Sequence, residues 1–531
     1  CVICDNLKNL CYIEVKWRIF VENTRVAAID IGSSAIRMTI AEIINDKVNI
    51  LEELRQPVRL GKDSFHKGKI LRPTINEAIL VLKKYKKLCE EYNVSLIKTV
   101  ATTAVREATN VDIFIDNIKT FTDIDVEILS TTKETLFIHR ALIKQLEENN
   151  EIKEKEYQAI IEVGAGTVEV TIFSKECIVF SRSLPLGTLK MKQIFNKYSD
   201  NEEHFFRYLK AIVSNELRTL KRDIPTFKIK KIYGIGSELD CISKVINGEN
   251  NQNMPVDKKE FQKLCDKIQS YAEEEMIHRL KISYDLTETF YATNIMFLKI
   301  LDFFKADSFN LPKVSLRDGI IENILIKQNN SNLFSQFEKQ VKINATNIGR
   351  ALNFDEKHAK KVLEYALIIF EKTKEIHHLG DIEKSYLIVS CLLHDVGTSI
   401  SNRSHHKHSL YVINAQEFLH FGEVEKNIIA NVARYHRRSP PKTTHPDYMR
   451  LSNKHKMIVI KLASILRIAD SFDNSNLQLV ESIDLKIEDE KVIIICNTKK
   501  NIYAEAYSFK YKKDMFEDFF GIAITLKIKR I

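Results

Sequence analysis

Two segments of the chain repeat one arrangement of apolar and polar positions. In the first, two β-rich runs flank Gly32-Ser33-Ser34, and in the second, two similar runs flank Gly164-Ala165-Gly166. The four runs are RVAAIDI at 25–31, AIRMTIAEI at 35–43, YQAIIEV at 157–163 and TVEVTIF at 167–173. An acidic residue, Asp30 or Glu162, precedes each turn, and the two copies lie 132 residues apart. The pattern predicts two β-hairpins and an internal duplication of one α/β unit.

Helical and extended patterns alternate along the rest of the N-terminal part. Helical spacing near 74–92, 110–119, 133–149 and 200–222 is interrupted by strand-like runs at 96–101 and 229–233, and residues 259–326 are helical in pattern. This alternation predicts mostly parallel sheets with helices on their faces.

The C-terminal part has a different pattern. After the polar stretch Lys327–Phe334, residues 337–476 follow helical spacing with short polar turns, which predicts an all-α domain. Beyond Val480 the period changes to two in residues 492–495 and 522–528. We therefore expect a small β-containing module at the end of the chain.

Length and composition narrow the class of protein. The 531 residues suggest about three or four domains, and 44% hydrophobic with 28% charged residues is ordinary for a globular protein. The longest nearly uninterrupted apolar run, Tyr386–Leu393, is less than half of the roughly 20 residues that a membrane span needs, which excludes a membrane protein. Nine widely spaced cysteines predict reduced thiols and a cytoplasmic location. Residues 1–24 show no clear signal peptide and are left out of the fold prediction.

Charge and histidine are distributed unevenly. The net charge of +9 is mild, but residues 331–480 hold 21 Lys and Arg against 15 Asp and Glu. Eleven of the 15 histidines lie between His358 and His455. This region is therefore expected to be a chemically distinct domain, and its positive charge favours a polyanionic ligand.

The duplicated turns have the composition of a phosphate site. Gly and Ser let backbone N–H groups approach a phosphate closely, and the preceding carboxylate can hold a divalent cation that bridges phosphate oxygens. Two such turns facing each other would clamp a phosphate chain between two lobes. Two ordinary hairpins remain the alternative at this point.

Several ordered motifs resemble one known family. Asp30–Arg37 is similar to the first phosphate motif of the actin-like superfamily of acetate and sugar kinases, heat-shock proteins and actin, which have RNase H-like lobes. More narrowly, it resembles the exopolyphosphatase/guanosine pentaphosphate phosphohydrolase (Ppx/GppA) family. Further matching segments are 59–61, 101–110, 130–134, 162–169, 184–187 and 315–319.

The resemblance implies an architecture and an activity. We expect α/β actin-like lobes at 25–150 and 151–326, an all-α HD-type domain at 335–479 and a β-containing module at 480–531. The implied activity is hydrolytic release of the terminal phosphate from inorganic polyphosphate or pppGpp, with Mg²⁺ or Mn²⁺. A homodimer that binds neither nucleic acid nor membrane is also expected.

The resemblance also assigns roles to particular residues. Glu134 matches the catalytic Glu that takes a proton from the attacking water, and Arg106 matches a phosphate-holding Arg. The alternatives are a capping role for Glu134 near Thr131 and Thr132 and a surface salt bridge of Arg106 with Glu107 or a neighbour. The residues expected at the phosphate are Gly32, Ser33, Ser34, Arg37, Gly164, Ala165, Gly166 and Thr167, and those at the metal are Asp30, Glu162 and Glu169.

The chain departs from the family pattern at both turns. Ser34 and Ala35 replace Asn and Ser, which removes an amide and a hydroxyl. Glu162 replaces Asp and is one methylene longer, while Ala165 replaces a Gly and is unfavourable if that position needs φ > 0. These differences keep open a catalytically weakened sensor that binds polyphosphate or guanosine tetraphosphate.

The histidine-rich domain has the residue order of HD-domain metallophosphohydrolases, which it resembles. His358, His394-Asp395 and Asp470 form a candidate metal site, and His405, His406 or His408 with His436 could complete a second one. The alternative is a helical scaffold with solvated histidines. A nucleotide phosphohydrolase acting at this site is a further functional alternative to chemistry in the lobes.

Basic residues near the same histidines suggest a path for a polyanion. They are Arg434, Arg437, Arg438 and Lys442. A solvated charged face is the alternative. An actin-like sugar or acetate kinase is disfavoured because Gly234-Ile235-Gly236-Ser237 is too generic for an adenosine loop.

Overall fold

The computed structural model describes residues 23–45, 47–149, 151, 156–174, 177–195, 202–224, 228–248, 254–328, 333–416, 418, 421–488 and 491–531. The chain divides into two compact units, and the division along the sequence falls between Leu333 and Phe334. Within the ranges just given, no helix is long and apolar enough to cross a bilayer. The further boundaries expected near 150 and 480 stay predictions.

Unit 1, the N-terminal unit, contains two sheets and a small ribbon. The first sheet has strands β1 (Asn23–Ile31), β2 (Ala35–Ile44), β3 (Lys47–Pro57), β4 (Leu96–Ala101) and β5 (Val126–Ile128). The second has β6 (Tyr157–Val163), β7 (Val168–Ser174), β8 (Cys177–Leu184) and β9 (Ile229–Ile235). The ribbon pairs β10 (Val256–Asp257) with β11 (Ser308–Phe309).

The two sheets follow one plan, with strand orders β3-β2-β1-β4-β5 and β8-β7-β6-β9. The first strand of each copy is antiparallel to the second and parallel to the strand that follows the crossover. Each copy therefore opens with a three-stranded meander. The expectation of mostly parallel sheets is wrong for this reason, whereas both predicted hairpins and their duplication are present.

The helices of unit 1 cover both sheets. They are α1 (Leu60–Lys67), α2 (Arg72–Glu91), α3 (Thr103–Arg106), α4 (Val111–Thr122), α5 (Thr131–Glu148), α6 (Thr188–Phe195), α7 (Glu202–Asp223), α8 (Ser237–Asn247), α9 (Lys258–Ile268), α10 (Glu273–Leu280), α11 (Tyr284–Phe304) and α12 (Leu316–Gln328). The central strands β1 and β6 are apolar over most of their length because a sheet covered on both faces buries alternate residues equally. Ser130 caps the N-terminus of α5, because its hydroxyl accepts a hydrogen bond from the Lys133 amide.

Unit 2 is helical and ends in a three-stranded sheet. Its helices are α13 (Leu333–Ala351), α14 (Glu356–Lys372), α15 (Lys374–His377), α16 (Asp381–Leu393), α17 (His405–Ala415), α18 (Glu423–Arg434), α19 (Pro446–Met449), α20 (Asn453–Ser471), α21 (Tyr503–Lys512) and α22 (Asp514–Phe520), with a 3₁₀ turn at Val396–Ser399. The sheet consists of β12 (Ser482–Glu488), β13 (Lys491–Thr498) and β14 (Ala523–Arg530), in that order. One apolar core runs from Val341 to Ile524, so helices and sheet share it. The β-containing end is present, but it also includes two helices that the period-two pattern did not indicate.

Candidate functional site

A cleft of about 220 Å³ lies in unit 1 where the two repeats face each other. Both Gly turns line it, together with residues from α3, α5, α8 and α12. The expected site residues at its wall are Asp30, Gly32, Ser33, Ser34, Arg37, Glu134, Glu162, Gly164, Ala165, Gly166, Thr167 and Glu169. The duplicated fold brings them together because each turn ends the first hairpin of its own sheet.

Glu134 sits in the first turn of α5 and faces the cleft. Its Oε1 accepts a short hydrogen bond from Nη1 of Arg106. The same guanidinium donates to the hydroxyls of Thr103 and Thr131 at 3.0 and 3.1 Å and to the Leu129 carbonyl at 2.5 Å. Arg106 is therefore held by four acceptors, and it fixes the Glu134 carboxylate in one position.

Neither a capping role for Glu134 nor a salt bridge between Arg106 and Glu107 matches the contacts. Ser130, not Glu134, supplies the side-chain cap of α5. Glu107 forms its ion pair with Lys190, at 2.8 Å, rather than with Arg106. The roles expected of Glu134 and Arg106 nevertheless stay predictions, because geometry alone does not test catalysis.

Six carboxylates line this cleft, namely those of Asp30, Glu134, Glu162, Glu169, Glu238 and Asp240. Burial is the largest influence on the pKa of Asp30, Glu134 and Glu162. Burial raises the pKa of Glu134 to about 8, against the lowering effect of the Arg106 guanidinium. It also raises the pKa of Asp30 and takes the pKa of Glu162 well above its usual range, where the nearby Glu134 and Glu169 carboxylates act in the same direction. A group of acids that disfavour one another's charge needs a cation before all can ionise.

Asp30 has one carboxylate oxygen that marks the position of such a cation. Its Oδ2 lies 3.7 Å from Nη1 of Arg37, whereas its buried Oδ1 accepts no hydrogen bond from any part of the chain that the structure describes. Arg37 is turned toward the second repeat, where its Nη2 donates to Ser237 Oγ at 2.9 Å. The residues present therefore fit a hard divalent ion with oxygen ligands.

The carbonyl groups of the two turns are held by neighbouring segments. Ser33 and Ser34 carbonyls accept from the amides of Gly61 and Val58, at 2.7 and 3.2 Å. In the second turn, the Gly164 and Ala165 carbonyls accept from the amides of residues 188 and 190, both at 3.1 Å. Over the described residues, the amides of both serines, Ala165 and Gly166 have no backbone acceptor. These amides are the donors available to a phosphate.

Ala165 adopts a conformation that alanine tolerates. It is not among the described residues with positive φ, and neither are Gly164 and Gly166. The condition under which alanine would be unfavourable here, a positive φ, is therefore not met. The constraint on glycine lies instead at Gly187, where an added Cβ would stand 2.0 Å from the carbonyl carbon of Gly166.

The cleft lining also includes polar and charged residues that were not predicted as site residues, among them Ser237, Glu238, Asp240 and Arg317. The first three follow Gly236, whose φ of +149° turns the chain from β9 into α8. Burial raises the pKa of Glu238 and brings the pKa of Asp240 to about 6. The strand-to-loop junction at 234–237 was visible in the sequence, but nothing there showed that it faces Asp30.

Histidines and aspartates of unit 2 that the sequence indicated as metal ligands form two groups, in which every residue except Asp395 is buried. His358, His394 and Asp470 make one, and Asp395, His405 and His436 make the other. Of the three histidines left open by the sequence, His405 joins a group, whereas His406 and His408 belong to neither within the described residues.

Three of the four basic residues proposed as a polyanion path lie near one another. The positive charges of Arg434 and Lys442 both lower the pKa of His445, and those of Arg434 and Arg437 both lower the pKa of His406. Arg434, Arg437 and Lys442 are therefore neighbours. Arg437 also contacts the His405 ring. Arg438 has a φ of 64°, and its carbonyl accepts from Arg467 at 2.9 Å.

Two repeats of one α/β unit, with paired Gly turns and clustered acids in the cleft between them, define a two-lobed phosphate-transferring enzyme. The family model of Ppx/GppA phosphatases matches residues 39–328, and the model of domain III of these phosphatases matches residues 342–506. The chain therefore belongs to the Ppx/GppA phosphatase family and is a hydrolase. Family members depend on a metal, in agreement with the acidic cleft.

Individual relatives agree with this placement. The guanosine-5'-triphosphate,3'-diphosphate pyrophosphatase of Photobacterium profundum is 18% identical over 469 residues, 88% of this chain and 90% of its own length. The solved Aquifex aeolicus family member is 26% identical, with a TM-score of 0.50 over 58% of this chain and 100% of that one. An exopolyphosphatase from Cytophaga hutchinsonii, 20% identical, has a TM-score of 0.53 over 57% and 98%. The actin-like α/β fold is thereby confirmed, while the HD-type nature of unit 2 stays a prediction.

Proposed function

We propose that the cleft of unit 1 releases terminal orthophosphate from a phosphoanhydride chain, either inorganic polyphosphate or pppGpp. Membership in a phosphatase family supports the reaction class, and the names of the relatives support these two substrates. The observation that carries the proposal is the position of Glu134. It is a buried carboxylate fixed by Arg106 at the wall of a cleft whose turns present unpaired amides.

Different residues of the chain bind the phosphate and transfer the proton. The amides of Ser33, Ser34, Ala165 and Gly166 bind the oxygens of the terminal phosphate from both sides. Arg106 orients the catalytic carboxylate through its hydrogen bond to Glu134. Glu134 accepts the proton of a water molecule that attacks phosphorus in line with the leaving oxygen.

Asp30, Glu162 and Glu169 would hold the divalent ion, for which we propose Mg²⁺ or Mn²⁺. Glu162 and Glu169 stand directly opposite each other in the β6–β7 ladder, and Ser183 donates to Glu169 at 2.7 Å. When bound, the ion neutralises charge on the phosphate oxygens.

The decisive experiment is phosphate release by purified Glu134→Gln protein from long polyphosphate and from pppGpp. Glutamine keeps the size of the side chain and the hydrogen bond from Arg106 but cannot accept a proton. We expect kcat to fall by about 10²–10⁴ on the preferred substrate, while KM changes little. The matched control is Glu127→Gln, which alters a carboxylate paired with Lys98 and Lys133 outside the cleft and should leave release unchanged.

Binding and phosphate release by the unaltered protein distinguish an enzyme from a sensor, and release by the variant tests the role of Glu134. Substrate binding without measurable release would favour the sensor over the enzyme. Unchanged release in Glu134→Gln protein would remove the base role from this residue. The expected homodimer and cytoplasmic location also remain proposals, supported respectively by the family resemblance and by the wide spacing of the nine cysteines along the sequence.

A further inference from the structure

Unit 2 contains ligand-type side chains that the reaction in unit 1 does not use. In the first group, His358 Nε2 lies 3.2 Å from His394 Nε2 and 3.4 Å from Asp470 Oδ1. In the second, Nε2 atoms of His405 and His436 are 3.4 Å apart. Two ligands on one ion at about 2.1 Å stand roughly 3.0–3.4 Å from each other, so these spacings are those of a metal's coordination sphere.

The outer ring nitrogens show which nitrogen of each histidine carries its proton. Nδ1 of His394 lies 2.8 Å from the Cys391 carbonyl, and Nδ1 of His358 lies 2.9 Å from an Asp473 carboxylate oxygen. Because both partners can only accept, each Nδ1 is the donor. In the neutral rings, two Nε2 lone pairs therefore face each other without a proton between them, an arrangement that a divalent cation between them would stabilise.

The second pair of histidines has the same arrangement. Nδ1 of His405 lies 3.2 Å from the Asn402 carbonyl, and Nδ1 of His436 lies 2.6 Å from the Ala433 carbonyl. All four rings thus direct an unprotonated Nε2 inward when neutral. Backbone carbonyls or a carboxylate fix each ring from behind, as is usual for histidines that ligate metals.

Asp395 joins the two groups through its two carboxylate oxygens. Oδ2 lies 3.6 Å from Nε2 of His394, and Oδ1 lies 3.0 and 3.3 Å from Nε2 of His405 and His436. Oδ1 is buried, yet it is not aligned to accept a hydrogen bond from either ring. A carboxylate placed this way reaches both positions as a bridge. At 29% exposure, the Asp395 side chain also marks the side on which solvent approaches.

Two protein cations lie beside these groups. Lys512 donates to Asp470 Oδ2, and Nη1 of Arg437 lies 3.1 Å from His405 Nε2. Lys512 pairs with the oxygen of Asp470 that faces away from the histidines. The Arg437 guanidinium lies against the lone pair of His405 Nε2. A metal ion at the second position therefore displaces this guanidinium.

From this geometry we propose that unit 2 binds a pair of borderline divalent ions, such as Mn²⁺, with Asp395 as the bridging ligand. His358, His394 and Asp470 complete the first position, and His405 and His436 complete the second. Four imidazoles favour Mn²⁺ or a later transition ion over Mg²⁺, which prefers oxygen ligands. This centre is distinct from the cleft of unit 1.

The test is Mn²⁺ binding to the chelator-stripped full chain in excess Mg²⁺, which occupies carboxylate sites without competing for imidazoles. We expect two retained Mn²⁺ per chain by elemental analysis, with the exchange-coupled electron paramagnetic resonance spectrum of a bridged pair. Asp395→Asn, which keeps the shape but removes one bridging oxygen, should abolish the coupling and retain one ion or none. His406→Ala, which alters a neighbouring histidine outside both groups, should retain two coupled ions.

Several outcomes would overturn the proposal. These are fewer than two Mn²⁺ in the unaltered chain, two uncoupled ions, or an unchanged coupled spectrum in Asp395→Asn protein. Circular dichroism of each variant shows whether a loss reflects unfolding, and Asp395→Asn is the variant expected to fold normally. Glu134→Gln should retain the pair, so failure of the hydrolytic proposal for unit 1 is distinguishable from failure of this one.

Discussion

Glu134 combines two properties that oppose each other at neutral pH. A general base must be ionised, but burial raises the pKa of this carboxyl to about 8, so its protonated form predominates below that value. The neighbouring Glu169 and Asp30 carboxylates raise the pKa further, whereas a cation bound among them would lower it. The acids of the cleft therefore couple metal binding to the readiness of the base.

We predict that kcat/KM rises with pH up to about pH 8 at low Mg²⁺ and that the rising limb moves to lower pH as Mg²⁺ increases. The sign follows because deprotonation produces the active form and a nearby cation favours that form. Phosphate release measured between pH 5.5 and 9 at two Mg²⁺ concentrations checks it. A profile that does not depend on pH below 8 would contradict the assignment.

Ala165 gives a second prediction at the same scale. Since its φ is not positive, Ala165→Gly relieves no strain and only increases the freedom of the unfolded chain. We expect the free energy of unfolding to fall by about 0.4–1 kcal/mol, with no gain in kcat. Urea denaturation and phosphate release measure the two effects, and a clear gain in activity would show that the turn needs glycine after all.

At the scale of elements, α5 and α12 approach each other closely at one glycine. A Cβ added to Gly319 would stand 1.9 Å from the Phe137 carbonyl oxygen. Glu134 lies on α5, and Arg317 on α12 donates from Nε to Thr39 at 2.8 Å and lines the cleft. A larger residue at this position would therefore push apart two helices that both present side chains to the site.

We predict that Gly319→Ala lowers the free energy of unfolding by about 1–3 kcal/mol and also reduces kcat/KM, because the helices must separate. Urea denaturation and phosphate release check both effects. Gly380→Ala is the control, since its Cβ would meet only the flexible end of Glu383 at 3.3 Å. Equal stability of the two variants would contradict the close contact.

Local sequence pattern predicted some elements and missed others for identifiable reasons. Strands β1 and β6 are continuous apolar runs beside Gly turns and could be predicted. The edge strand β3 (KVNILEELRQP) could not, because most of it is exposed or half-buried and its charges follow no period of two. Helix α21 could not be predicted either, because it exposes Tyr503, Tyr507 and Tyr511 and has no clear apolar face.

The same limit applies to the site. Turn residues carry a local signal, whereas Arg317 and Glu238 enter the cleft only through the packing of α12 and α8, far along the chain. The bridging position of Asp395 likewise depends on four separate segments. The order of residues in the sequence predicts that metal-ligand residue types occur in this domain. It does not predict that His405, rather than His406, lies in the metal-ligand group.

At the scale of the whole molecule, positive charge is concentrated in residues 331–480. We predict that the triple variant Arg434→Gln/Arg438→Gln/Lys442→Gln raises KM for polyphosphate of several hundred units but not for tripolyphosphate. Added salt should likewise raise KM for the long chain by about tenfold between 50 and 300 mM and affect the short one far less, because screening weakens many distant contacts at once.

The control for this prediction replaces three exposed lysines of the C-terminal sheet, Lys486, Lys527 and Lys529, by glutamine. The two triple variants remove the same net charge. An equal rise in KM in both would indicate a general charge effect and would contradict a defined path.

The shared core of unit 2 has a genetic consequence. All six proposed manganese ligands are encoded before codon 471, yet Lys512, which pairs with Asp470, lies on α21, and β14 completes the sheet that buries Val492 and Ile494. A nonsense mutation after codon 498 would leave every ligand in the translated product. It would still abolish the metal pair, because the truncated core could no longer hold α20 and its aspartate in place.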